Sequence, residues 1–409
     1  MLFFLVLLLM TWPFSPVMAQ EDFPKPEVIL MQDGSQQGLD AWMQGFRDRA
    51  MAAGIAPATL GALTAVRFLP EVVDKDRRQD EFTRAIWDYL DRAVSDDRIA
   101  FGQRAMAKHG DTLARIAAEY RVDAEYVVAI WGLESSYGAV RGDIPTLSAL
   151  ATLAYDGRRG AYFEAELIEA LRILQGAHVA PDRMLGSWAG AMGHTQFMPS
   201  SWAKRAVDFD GDGKRNIWGD DPADALASTA AYLAAAGWKK GMPWGIEVTL
   251  PQGFDFQLTG KRSPRPVAEW TALGLRAVAG DLPPDAWAAL LTPAGAKGPA
   301  FLVTDNFTAI ETYNVADAYV IAVGHLADRL RGEPAFSYGW PREERVLTLD
   351  ERKEMQALLT AHGHDAGGSD GKVGPLTLTA LRRWQALAGR IPDGFPTVEI
   401  LETLRKTNP

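Results

Sequence analysis

The segment at residues 124–138, AEYVVAIWGLESSYG, places one carboxylate on an otherwise apolar stripe. Its spacing predicts a helix that stops at Gly138, a residue suited to a left-handed C-terminal cap. Glu134 falls one turn beyond Ile130 and Trp131 and two turns beyond Val127. Burial against aliphatic and indole surface disfavours an ionised carboxyl and raises its pKa, which makes a glutamate a proton donor near neutral pH. A buried glutamate neutralised by a cation or by a helix N-terminus fits the same placement, and position alone does not separate the two. Ordinary glycoside hydrolysis needs a second carboxylate about 5–9.5 Å away. Upstream, Glu125 stands nine residues away, and the nearest downstream candidates are Asp143 and Asp156, both in Gly-containing turns where acids cap or face water.

A second pattern could hold a metal. Asp208, Asp210 and Asp212 stand at alternate positions before Gly213, the first half of an EF-hand loop, in which the chain wraps a hard cation with oxygens. Lys214 would lend only its backbone carbonyl, and calcium suits such a flexible all-oxygen loop better than magnesium. The usual closing glutamate is absent, because position 219 is glycine. The alternative is a hydrated acidic turn that binds nothing tightly.

The elements that must position these residues are mainly helical. A helical pattern runs from about 40 to 120, with Ala-rich segments such as 49–66 and 82–93, and continues at 124–137, 162–174 and 223–236, while strand-like alternation is sparse and mostly late, at 246–250 and around 262–268. The chain has 409 residues, 47% hydrophobic, enough for two or three folded units. Its 52 acidic against 42 basic side chains leave a net charge of -10, the wrong sign for broad nucleic-acid binding. No cysteine occurs, which excludes disulfides, thiolate metal sites, cysteine nucleophiles and a lipid-anchor cysteine. Residues 1–19 read as an export signal, with an apolar run from Leu2 to Met10 and cleavage after Ala19. An uncleaved membrane anchor is the competing reading, although that run is short for a span. The mature chain is expected to have no transmembrane helix. Residues 332–345, GEPAFSYGWPREER, break all periodicity and read as a linker. Beyond it, Met355-Gln356 before Asp370-Gly371 and Trp384-Gln385 before Asp393-Gly394 mark two related halves of a small module at 346–409.

Three ordered blocks carry a family resemblance. The run Glu134-Ser135-Ser136-Tyr137-Gly138, the run 187–201 (SWAGAMGHTQFMPSS) and Tyr313-Asn314 with Tyr319 resemble the lytic murein transglycosylase B family. The resemblance covers about residues 25–330 and implies a lysozyme-like α domain at 20–331 with a small β insertion. It implies cleavage of the MurNAc-β-1,4-GlcNAc bond of peptidoglycan without water, leaving a 1,6-anhydro end, with Glu134 as acid and then base. That chemistry needs one carboxyl group and no catalytic cofactor. The resemblance further makes Ser187, Gln196, Tyr313, Asn314, Tyr319 and Tyr137 substrate-binding residues, and Asp224 the ligand closing a calcium loop at 208–224 that is longer than an EF-hand loop. Relative to some relatives that loop has Gly219 and Asp220 in addition. His194 stands where some relatives carry another residue, so its role is open. Arg158 and Arg159 could face the acidic peptide stems of the substrate or form a solvated face.

Residues 347–407 resemble the three-helix peptidoglycan-binding module of wall enzymes. Asp370-Gly371 and Gly374-Pro375 would start its second helix, and Leu381 and Trp384 would pack its core. The implied partners are peptidoglycan glycan strands and other cell-wall enzymes, in the periplasm. A hydrolytic muramidase and a non-catalytic wall-binding scaffold are the alternatives.

Overall fold

The computed structural model describes residues 34–77 and 85–407; the export signal at 1–19 lies outside the described residues. The first helices are α1 (Gln36–Ala52), α2 (Pro70–Arg77), α3 (Ile86–Ala93), α4 (Asp96–Lys108), α5 (Gly110–Tyr120) and α6 (Ala124–Ser135). They are followed by α7 (Thr146–Asp156), α8 (Gly160–Gln175), α9 (Pro199–Arg205) and α10 (Ala223–Ala235). After a β region come α11 (Val267–Ala272), α12 (Asp305–Glu311) and α13 (Asp317–Leu330), then α14 (Leu349–Ala361), α15 (Pro375–Leu387) and α16 (Val398–Lys406).

The helix read over 49–66 is broken. α1 stops at Ala52, Gly54 takes φ 91°, and 59–65 form a separate 3-10 turn. Gly54 and Pro57 are strong breakers, and they interrupt the helix despite its alanine content.

The β part is larger than the sequence suggested. β1 (Ile144–Pro145) pairs with β2 (Leu185–Gly186). β3 (Gly245–Thr249), β4 (Arg265–Pro266), β5 (Arg276–Ala277), β6 (Trp287–Leu291) and β7 (Ala300–Val303) form an antiparallel sheet of order β4-β6-β7-β3-β5. β7 is buried on both faces and β6 nearly so, so neither alternates, and short apolar runs of this kind do not announce themselves as strands. The alternation at 262–268 yields only β4 before α11 begins.

Two cores meet at the site. One surrounds α6 and α13, with Val127, Val128, Ile130, Val320 and Ile321 fully buried, each contributing about 1.5–3 kcal/mol. The other joins α1, α7 and α8 through Phe46, Leu150 and Leu171. Tyr313 packs against both.

Residues 332–345 have no helix or strand, yet they lie fixed on the helical body. Phe336 stacks on His325 at 3.8 Å, Trp340 packs near Trp87, and Arg342 grips Asp91 with bonds of 2.7 and 2.8 Å. Beyond them α14, α15 and α16 enclose a small core of Met355, Leu381, Trp384 and Leu401. The related halves share one device: Gln356 Oε1 accepts from Gly371 N at 2.7 Å, and Gln385 Oε1 accepts from Gly394 N at 2.8 Å. This unit touches the sheet region through Arg382 to Thr259 and Asp393 to the Ala296 N–H.

Candidate active site

α6 is apolar almost all round, as a central helix must be. Asp123 anchors its start by accepting from the Trp238 indole at 2.9 Å and from Gly241 N. Its end is a tight left-handed turn, with Ser136 at φ 51°, Tyr137 at φ 59° and Gly138 at φ 85°. The two non-glycine residues there cost about 1–2 kcal/mol each. Ser135 offsets that cost: its Oγ accepts from Gly138 N at 2.9 Å and donates to the His194 carbonyl. The helix end is thereby joined to the loop at 187–201.

His194 is a structural tie. Its Nδ1 accepts from the Trp131 indole at 3.1 Å, so its Nε2 carries hydrogen and donates to the Gly219 carbonyl at 2.8 Å. Burial lowers its pKa and keeps the ring neutral. Arg141 donates to the Trp218 carbonyl at 2.8 Å, and its own carbonyl accepts from Gln196 Nε2 at 3.0 Å.

Glu134 is part-buried, and its Oε1 accepts a 2.6 Å hydrogen bond from the Tyr319 hydroxyl. Burial pushes its pKa up, the Tyr319 bond pulls it partly back, and the result is about 7. No charged neighbour among the described residues contributes to that shift. Asp156 is bound by Arg77, and Asp143 is exposed.

The remaining sequence candidates divide. Tyr313 donates to the Thr195 carbonyl and packs on Phe197 and Tyr232, and its phenol is close enough to Glu134 for that charge to disfavour ionisation. Gln196, at φ 53°, donates to Gly193 and Arg141 carbonyls, and Ser187 Oγ accepts from Ala191 N at 3.1 Å. Both brace the loop beside the site. Asn314 is exposed and accepts from Ala316 N at 3.0 Å, an Asx turn leading into α13. Tyr137 donates to the Arg98 carbonyl at 2.8 Å, and a Cβ on Gly102 or Gly132 would clash with its ring. It fills the seam between α4 and α6. Arg158 and Arg159 both bind the carboxylate of buried Asp76, so they serve the fold rather than a solvated face or a substrate stem.

The carboxylates of Asp208, Asp210 and Asp212 lie within 4.8 Å of one another on an exposed loop. Asp224 does not join them. It is buried, with Oδ1 accepting from Phe209 N and Oδ2 from Asn216 N, both at 2.8 Å. It ties the two ends of the loop through their backbone, and Lys214 stays exposed.

The transglycosylase SLT domain family matches residues 38–328, and the peptidoglycan binding domain family matches residues 348–404. The chain belongs to the transglycosylase SLT domain family. It is similar to SltB3 of Pseudomonas aeruginosa, solved with NAG-anhNAM-pentapeptide, at 48% identity and TM-score 0.88 over 90% of this chain and 100% of that one. The lytic transglycosylase Slt35 of Escherichia coli, solved with calcium, is 30% identical with TM-score 0.59, covering 76% of this chain and 98% of that one. The membrane-bound lytic murein transglycosylase B of E. coli K12 is 41% identical over 172 residues, 41% of this chain. That match spans 47% of the curated relative, about half its length. The helical body is the lysozyme-like fold of SLT-domain transglycosylases, with small sheets added and a helical module at the C-terminus.

Three residues that hold the site in this family member were not legible as such. Trp131, Arg141 and Thr195 act through partners 63, 77 and 118 residues away, and no local pattern encodes that.

Proposed function

We propose that this chain is a lytic transglycosylase that cleaves the MurNAc-β-1,4-GlcNAc bond of peptidoglycan without water and leaves 1,6-anhydro-MurNAc ends. The observation that carries this reading is Glu134: a carboxyl group with pKa about 7, held by one tyrosine and with no charged neighbour contributing to its shift. Protonated, Glu134 gives its proton to the glycosidic oxygen as the C1–O bond breaks. The resulting carboxylate, stabilised by the Tyr319 hydroxyl, takes the proton of the C6 hydroxyl as that oxygen bonds to C1. Atoms balance without a water molecule, and one carboxyl group serves both steps. Tyr319 and Tyr313 are read as cleft residues around the scissile bond, with Ser187 and Gln196 shaping the loop beside it.

Asp208, Asp210 and Asp212 would hold a calcium ion, with Asp224 fixing the loop that presents them. The ion would neutralise three clustered carboxylates and stiffen the loop. Residues 346–409 are read as a wall-binding module that raises effective substrate concentration. Export to the periplasm follows from the signal-like residues 1–19; no helix among the described residues is long and apolar enough to cross a membrane.

The test is digestion of purified peptidoglycan by the full chain and by Glu134→Gln, read by mass spectrometry. Anhydro ends from the wild type that vanish in the variant are expected. Hydrated ends would make it a muramidase, and wall binding without turnover would make it a scaffold.

A further inference from the structure

A cavity of about 440 Å³ opens beside the C-terminal end of α6. Ser136 and Tyr137 form part of its wall. Ser136 is two residues past Glu134, so the near edge lies within about 7 Å of the Glu134 backbone.

The lining is basic in a protein whose net charge is -10. Arg104 and Lys108 line it from α4, one turn apart, and Arg141 lines it as well. Among the described residues Arg104 and Lys108 make no ion pair, whereas Arg141 is partly offset by Asp220 at 3.5 Å. Burial and then the Lys108 charge hold His109 towards its neutral form, against the opposite pull of Asp221. Arg104 and Lys108 thus have no ion-pair partner among the described residues. Arg104 lies 4.5 Å over the ring of Phe101, which is 55% exposed. A guanidinium laid on an aromatic plate keeps its fork in place for a planar anion. The sequence offered Arg158 and Arg159 for acidic stems, but Asp76 occupies both.

We infer that this cavity receives a carboxylate of the peptide stem carried by the glycan that Glu134 cleaves, with Arg104 and Lys108 as its specificity determinants. The inference rests on the transglycosylase reading. Any stem peptide ends in a carboxylate, and Arg104 can meet one with two parallel hydrogen bonds while Lys108 adds a point charge.

The experiment measures kcat/KM of the full-length protein on three glycan strands: stems intact, stems removed, and stems with amidated carboxylates. The wild type should favour intact stems. The double variant Arg104→Gln/Lys108→Gln should lose about tenfold on intact stems, through KM, and match the wild type on the other two. Arg104→Lys/Lys108→Arg should recover most of the preference. An equal loss on all three strands, or a wild type indifferent to the stem, overturns the assignment. Anhydro ends from stemless strands uphold the transglycosylase reading whatever happens to the cavity. If no strand is turned over, that reading fails, and calorimetry of the same strands with the full chain shows whether the cavity still discriminates.

Discussion

Glu134 sits between two opposed influences, burial and the Tyr319 hydrogen bond, and its chemistry depends on their balance. In the proposed reaction turnover needs the protonated form, so activity should fall about tenfold per pH unit above about 7. Tyr319→Phe removes the bond that favours the carboxylate. Its pH profile should shift upward on the basic side while kcat drops about ten- to a hundredfold, which a pH–rate series would check. Stability carries the same signature with a definite sign. The folded pKa of about 7 exceeds the unfolded value near 4.5, so the folded state binds this proton more tightly. Stability is then lost as pH rises from about 4.5 through 7, and Glu134→Gln should be about 1–3 kcal/mol more stable than wild type above pH 7, converging below 4.5. Denaturant titrations at several pH values test this. Periodicity alone made Glu134 a candidate acid. Its partner is 185 residues away, beyond what spacing can show.

At the scale of elements, the site depends on two loops held by single side chains. Gly138 has φ 85°, and a Cβ there would stand 2.5 Å from His194 Nδ1. Gly138→Ala should therefore destabilise by about 2 kcal/mol or more and lower turnover by displacing the His194 tie, as thermal melts and end-group assays would show. Asp224→Ala strips the acceptor from Phe209 N and Asn216 N, which should cost about 1–3 kcal/mol and weaken calcium binding in titration calorimetry. The alternating acids were plain in the sequence, but Asp224 bonding backbone instead of joining them was not, because a ligand and a loop anchor look alike in spacing. The helices at 162–174 and 223–236 were legible from their period and appear as α8 and α10. β6 and β7 were not, since burial on nearly every residue erases the alternation that reveals a strand.

For the whole molecule, the sequence break at 332–345 was visible, but its docking was not. Fourteen irregular residues read as a spacer, yet Phe336, Trp340 and Arg342 fasten them to the helical body, and Arg382 and Asp393 fasten the terminal helices to the sheet region. The terminal module is therefore held in one orientation relative to Glu134. Arg342→Ala combined with Arg382→Ala should speed proteolytic cleavage within 332–345 several-fold with little change in the melting of the helical body, since exposed ion pairs contribute only about 0–1 kcal/mol. The proposed reaction uses one carboxyl group and no water, and that is measured most directly by digesting peptidoglycan in heavy-oxygen water. Anhydro ends with no heavy oxygen in the products are expected. Heavy oxygen at C1 of new reducing ends would show that water attacks, and would contradict the proposed reaction.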